Sequence, residues 1–105
     1  MAPAAFHILV ALGEGPRHGY AIIKEVAAAT SGEVQLNPGT LYTTIKRLLD
    51  DGLIRETSAP ARTESSDERR RYYALTAAGR KAAQSELERL RGLIRHAGNK
   101  LCGAG

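Results

Sequence analysis

Cysteine is all but missing from this sequence. Cys102 stands alone near the C-terminus, so no disulfide can form within the chain and a cysteine-rich zinc site is excluded. Tryptophan is absent and Phe6 is the only phenylalanine, leaving four tyrosines as the remaining aromatic surface. A stacked aromatic drug pocket is therefore not expected. No apolar run approaches the roughly 20 residues needed to cross a bilayer. The stretch Ile8 to Leu12 is apolar but short, has no basic residue before it and closes on Gly13-Glu14-Gly15, which makes it a poor signal peptide. These absences predict a cytoplasmic protein with no membrane partner.

Chemistry-bearing clusters are equally scarce. His7, His18 and His96 are scattered, and no His, Asp, Glu or Cys group has metal-ligand spacing, so no metal is expected. The glycines between Gly13 and Gly19 lack phosphate-cradling patterns and follow a helical segment rather than a strand, so no nucleotide cofactor is expected either. Ser65 and Ser66 have no base at readable spacing, and no paired acids and bases suggest a pocket for catalysis. The chain reads as a binding protein, not an enzyme.

What is present fits one core: 105 residues, 43% of them hydrophobic, with 25% charged. The net charge of +4 is compatible with a polyanionic partner. Most of that surplus lies after residue 72, whereas residues 35 to 50 carry only +1. Position must therefore decide what total charge does not.

Ala4 to Leu12 forms a first, apolar helix ended by two glycines and Pro16. After His18-Gly19-Tyr20, the segment Ala21 to Thr30 places Ile22, Ile23, Val26 and Ala27 at helical spacing until Ser31-Gly32 stops it. Asn37 is a good N-cap and Pro38 suits the first helical position, so a third helix starts there and runs to about Asp50. Leu41, Ile45, Leu48 and Leu49 give it an inward apolar stripe. Thr40, Thr43, Lys46 and Arg47 fall on its outward side, with Tyr42 at the boundary and Asp50 the only acid.

The period changes after Asp51-Gly52. Leu53 to Thr57 and Arg70 to Leu75 read as two paired strands, with Ser58 to Arg69 a polar tip between them. Alternation sends Arg69 and Arg71 to one face and Arg70 to the other. Likewise it sends one of Tyr72 and Tyr73 inward and the other toward solvent or backbone phosphate, and leaves open which is which. From Thr76, a suitable N-cap, the last helix carries Ala83, Leu87, Leu90, Ile94, Ala97 and Leu101 at intervals of four and three. That seam is interrupted by Gly92 and Gly98, and it either joins two protomers or packs on its own domain.

Three helices, a two-stranded β-hairpin and a last helix define the expected fold: mainly α, a winged helix-turn-helix over residues 1–75 with a C-terminal dimerisation helix over 76–105. In that arrangement the third helix enters the major groove of double-stranded DNA and the wing lies along the backbone or minor groove. Lys46 or Arg47 would donate to guanine acceptors, and Thr40 and Thr43 would bond bases or phosphates. Backbone amides near Gly19 and Tyr20 would bind phosphate at a helix N-terminus.

Three motifs then carry a family resemblance. Leu36-Asn37-Pro38-Gly39-Thr40-Leu41-Tyr42, followed by Arg47-Leu48 and Asp51-Gly52-Leu53-Ile54, resembles the recognition helix and first wing strand of PadR-type regulators. Arg70 to Gly79 is similar to that family's second wing strand and the start of its last helix, and His18-Gly19-Tyr20-Ala21-Ile22 to its second-helix opening. The resemblance implies a homodimer on an inverted-repeat operator, usually a repressor. It places DNA contacts at Gly19, Tyr20, Asn37, Pro38, Gly39, Thr40, Tyr42, Thr43, Lys46, Arg47, Arg69, Arg70 and Arg71. Phe6, Ala83, Leu87, Leu90, Ile94 and Ala97 would form the dimer interface. Some members are released by a small hydrophobic or phenolic effector, although the short last helix resembles the subgroup without a large effector domain. The rival reading, a winged helix that docks another protein, would be expected to show apolar anchors on the third helix. Thr40, Thr43, Lys46 and Arg47 stand there instead.

Overall fold

The computed structural model describes residues 1–58 and 71–103. Its elements run α1 (Pro3–Ala11), β1 (Arg17–His18), α2 (Gly19–Ala29), α3 (Pro38–Asp50), β2 (Ile54–Thr57), β3 (Tyr72–Leu75) and α4 (Ala77–Leu101). Each of the last three helices starts on a side-chain cap that satisfies an otherwise orphaned amide. His18 Nδ1 accepts from the Ala21 amide at 3.1 Å, Asn37 Oδ1 from Thr40 at 2.8 Å, and Thr76 Oγ1 from Gly79 at 3.0 Å.

The core is built where α1, α2 and α3 meet the sheet. Ile8, Leu9, Leu12, Ile22, Val26, Leu41, Ile45, Leu48 and Ile54 are all buried in one cluster. The apolar stripe expected on α3 is therefore inward, with Leu49 half-buried beside it. Gly52 ends α3 with φ at +74°, a conformation that costs glycine little. There the amides of Gly52 and Leu53 donate to the carbonyls of Leu49 and Leu48, which turns the chain sharply into β2.

The expected two-stranded hairpin is a three-stranded antiparallel sheet in the order β1-β3-β2. Arg17 pairs with Tyr73 and His18 with Tyr72, while Ile54 to Thr57 pair with Leu75 to Tyr72 on the other side. β1 has only two residues, too few to show a period of two, and its pairing makes β3 the central strand. This also corrects the expectation that one tyrosine faces outward, since Tyr72 and Tyr73 are both buried. Tyr72 meets the His18 ring edge-on at 5.4 Å, and Tyr73 joins the core on the opposite face.

The start of α4 is tied to the end of α3. Thr76 donates through its amide to the Leu53 carbonyl at 3.1 Å and through its hydroxyl to that of Gly52 at 2.7 Å. Helix α4 then packs along α1 before leaving the body. At 25 residues it is about 37 Å long, and it stretches the molecule to 58 × 28 × 25 Å.

Candidate nucleic-acid interface

Packing the apolar side of α3 inward leaves Gly39, Thr40, Tyr42, Thr43, Lys46 and Arg47 exposed together on the opposite side, with the caps Asn37 and Pro38 at its start. Asn37 is committed to capping, since its carboxamide oxygen accepts the Thr40 amide. Thr44 is also committed, donating its hydroxyl to the Thr40 carbonyl at 2.7 Å. No ion pair engages Lys46 or Arg47 among the described residues. Two long cations, two hydroxyls and a half-exposed tyrosine thus share one convex face.

Helix α2 presents its N-terminus beside this face. Gly19 is buried, and the Tyr42 ring lies so close that a methyl group on Gly19 would sit 2.5 Å from the Tyr42 Oη. Tyr20 is exposed, with the Lys24 ammonium 5.4 Å from its ring centre. Between α2, α3 and β3 opens a cleft of about 260 Å³ walled by His18, Gly19, Tyr20, Tyr42, Arg71 and Tyr73. Burial pushes the Tyr73 phenol above its ordinary value of 10.0, with Glu56 and the Tyr42 phenol acting in the same direction and Arg71 opposing them. Tyr73 is thus a neutral hydroxyl at any physiological pH.

Of the wing residues expected to touch DNA, Arg71 is exposed just before β3 and stands 3.6 Å from Glu56. Arg69 and Arg70 lie outside the described residues. Sequence reasoning left open which of Tyr72 and Tyr73 faces the DNA side; Tyr73 is the one that lines the cleft, a place that depends on β1 pairing with β3. Among the described residues no group of three or more His, Cys, Asp or Glu side chains could hold a metal ion, and no helix is long and apolar enough to cross a membrane.

The expected interface residues of α4 divide into two sets. Ala83 packs against the core cluster and, with Phe6, Leu9, Val10 and Leu87, lines an apolar cleft of about 310 Å³ between α1 and α4. Beyond it Leu90 and Ala97 are half-buried, whereas Ile94 is 69% and Leu101 84% exposed. Leu93, outside the predicted seam, is exposed as well.

A polar recognition face on a capped third helix, flanked by a small sheet, defines a winged helix-turn-helix protein. Residues 8–85 match the family model described as the transcriptional regulator PadR-like family, and the chain belongs to that family. Solved structures agree. A transcriptional regulator from Clostridium thermocellum, Cth-833, is 30% identical with a TM-score of 0.77, over 93% of this chain and 88% of that one. A PadR family transcription regulator from Clostridium difficile R20291 is 26% identical with a TM-score of 0.76, over 97% and 100%. The smu.1704 protein of Streptococcus mutans UA159, at 20% identity and a TM-score of 0.74 over 95% and 87%, shares the fold. Among curated proteins none matches this chain.

Proposed function

We propose that this regulator binds double-stranded DNA sequence-specifically as a homodimer on an inverted-repeat operator and represses the gene beside it. The observation that carries this reading is the exposed face of α3, where Thr40, Thr43, Lys46 and Arg47 converge with their apolar neighbours sealed in the core. A single helix of this kind fits the major groove, and its Lys or Arg matches the acceptor pair of guanine. Arg71 would follow the backbone from the wing, and Arg69 and Arg70 belong to the same proposal. Residues 1–75 would form the DNA-binding part and 76–105 the dimerising part.

Dimerisation is supported by the exposed apolar side of α4, which a second α4 would cover through Leu87, Leu90, Ile94 and Ala97. The operator's two-fold symmetry would mirror that of the dimer. A small hydrophobic or phenolic effector would act at the α1–α4 cleft, where Arg80 and Gln84 border a largely apolar lining. The function is binding rather than catalysis.

The test is a fluorescence anisotropy titration against the DNA upstream of the protein's own gene, at two salt concentrations, with a random duplex as control. Tight, salt-sensitive binding that prefers the upstream DNA is the expected result. Equal binding to both duplexes would refute sequence-specific binding at that DNA. No binding at low salt would overturn the DNA reading itself.

A further inference from the structure

The turn that leads from α1 into the sheet has a donor for each of its carbonyls. The Leu12 amide serves Ile8 and Leu9, the Gly13 amide serves Val10, and the Gly15 amide serves Leu12. Guanidinium groups serve the other two. Arg17 Nε donates to the Ala11 carbonyl at 2.8 Å, and Arg80 Nη2 donates to that of Gly13 at 3.1 Å. The first donor comes from β1, the second from the start of α4, 67 residues beyond Gly13. Orphaned carbonyls at a helix end can be satisfied by water, so nothing local requires a side chain from so far away.

The two arginines tie the turn to different parts of the molecule. Arg17 also reaches Glu25 in α2 at 3.6 Å, and its backbone pairs with Tyr73 of β3. His18, the next residue, caps α2. The turn thus continues directly into α2 and the wing, both assigned above to DNA. Arg80 belongs instead to the helix assigned to dimerisation. It borders the α1–α4 cleft and a second cleft of about 250 Å³, which Arg55, Ala74 and the turn from Leu12 to Pro16 also line. Tyr73 lines the cleft beside α2 and α3 and its neighbour Ala74 lines this one, so Arg80 acts from the face of the sheet turned away from DNA.

The grip is a second tether. Thr76 already fastens the start of α4 to the end of α3 at Gly52 and Leu53, and one tether leaves rotation about it. Holding Gly13 as well fixes the angle. The span between the two guanidiniums is stiff, because Gly15 holds φ at +154°, which side chains rarely adopt, and Pro16 locks its own φ. A displacement of α4 felt at Gly13 is therefore passed on to β1.

We propose that Arg80 is a positioning residue for DNA binding: by gripping Gly13 it fixes the orientation of α2, α3 and the wing relative to α4, and so sets the separation of the two recognition helices in the dimer. Arg80 itself touches no DNA. This rests on the dimeric, operator-binding reading above and deepens it. One base pair more or less between half-sites turns the second by about 35° about the duplex axis, so reading heads held at a fixed angle must strain or release a tether to reach both.

The experiment compares operator duplexes of native spacing with duplexes carrying one base pair more or fewer between the half-sites, and with a duplex holding a single half-site. Fluorescence anisotropy gives the affinities of wild type, Arg80→Gln and Arg80→Lys, and ultracentrifugation their masses. Wild type should prefer the native spacing. Arg80→Gln should stay dimeric and bind the single half-site as wild type does, while its preference for native spacing narrows about threefold to tenfold, the range of one hydrogen bond. Arg80→Lys keeps a donor and should restore most of the preference. Arg17→Gln loosens the same turn from β1, so it should narrow the preference too, and the double variant should change less than the two singles together. An unchanged preference in Arg80→Gln would overturn the proposal and leave the DNA reading standing. Equal weakening on every duplex, the half-site included, would also overturn it and assign Arg80 to stability alone. Wild type that binds the operator specifically but ignores spacing would rule out fixed heads, and wild type that binds no duplex would take the DNA reading down as well.

Discussion

Helices α3 and α4 are both amphipathic, and the difference between them lies in what each leaves in solvent. α3 spends its whole apolar stripe on the core through Leu41, Ile45 and Leu48, and the face left over is hydroxylic and cationic. α4 spends only its first turns on the body, near Gly79 and Ala83, and then carries Leu87, Leu93, Ile94 and Leu101 into solvent. An apolar face gains by meeting another apolar face, and a cationic one by meeting a polyanion. The two helices thus suit the two different partners proposed above, a second copy for α4 and nucleic acid for α3.

The most severe way to break this contrast is inside α3. Leu41→Ala removes a fully buried side chain from the centre of the core and should cost about 2–5 kcal/mol of stability, read from a denaturant titration. DNA binding should fall with the folded fraction. A loss below about 1 kcal/mol would mean that α3 is not anchored as described.

On α4 the corresponding change should leave the fold standing. Ile94→Glu alters a side chain exposed in the single chain, so the protomer should keep its denaturation midpoint at low concentration. Burying the wild-type side chain in a dimer would contribute about 1.5–3 kcal/mol, and the substitution removes that and adds a charge. The expected outcome is a shift from dimer to monomer mass in analytical ultracentrifugation. An unchanged mass would remove the seam from the interface.

The exposed face of α3 sharpens the contrast from the other side. Arg47→Ala or Lys46→Ala should leave thermal stability nearly unchanged. Either should weaken operator binding by about 1–3 kcal/mol if it makes a bidentate base contact, and relax specificity at one position. Equal loss on random duplex would reassign that residue to the backbone.

Much of this was legible because its causes are local. Asn37 and Thr76 cap their helices three residues ahead, and the α3 stripe repeats every three or four residues, so both show in a window of a dozen residues. The polar face of α3 follows from the same period. What escaped depends on pairing across the chain. β1 has two residues and no pattern of its own, and it becomes a strand only because Tyr72 and Tyr73 lie beside it. Without it one tyrosine was expected outside, and the cleft that Tyr73 shares with Gly19 and Tyr42 could not be assembled. The exposure of α4 was half legible: its seam shows in the spacing, but where the body stops covering it depends on how far α1 reaches.

The smallest effect concerns how α4 is pinned where it still touches the body. Glu86 is the one buried charged residue among those described, and Arg89 donates to it from Nε and Nη2, each at 2.8 Å. That bond lowers the carboxyl below its ordinary 4.5, burial opposes it, and the Met1 ammonium, 3.7 Å away, adds to the lowering. A carboxyl whose folded value is depressed binds its proton more readily in the unfolded chain, so its stabilising contribution is complete well above pH 4.5. The contribution fades as pH falls through 4.5 and the lowered folded value. Glu86→Gln should therefore lower the melting temperature slightly at pH 7, and the gap from wild type should close between about pH 5 and pH 3. Because Arg89 is largely exposed, solvent screening keeps the gap small. A gap that persists unchanged at pH 3 would assign the effect of Glu86 to packing rather than charge, and α4 would then be held to the body by shape alone.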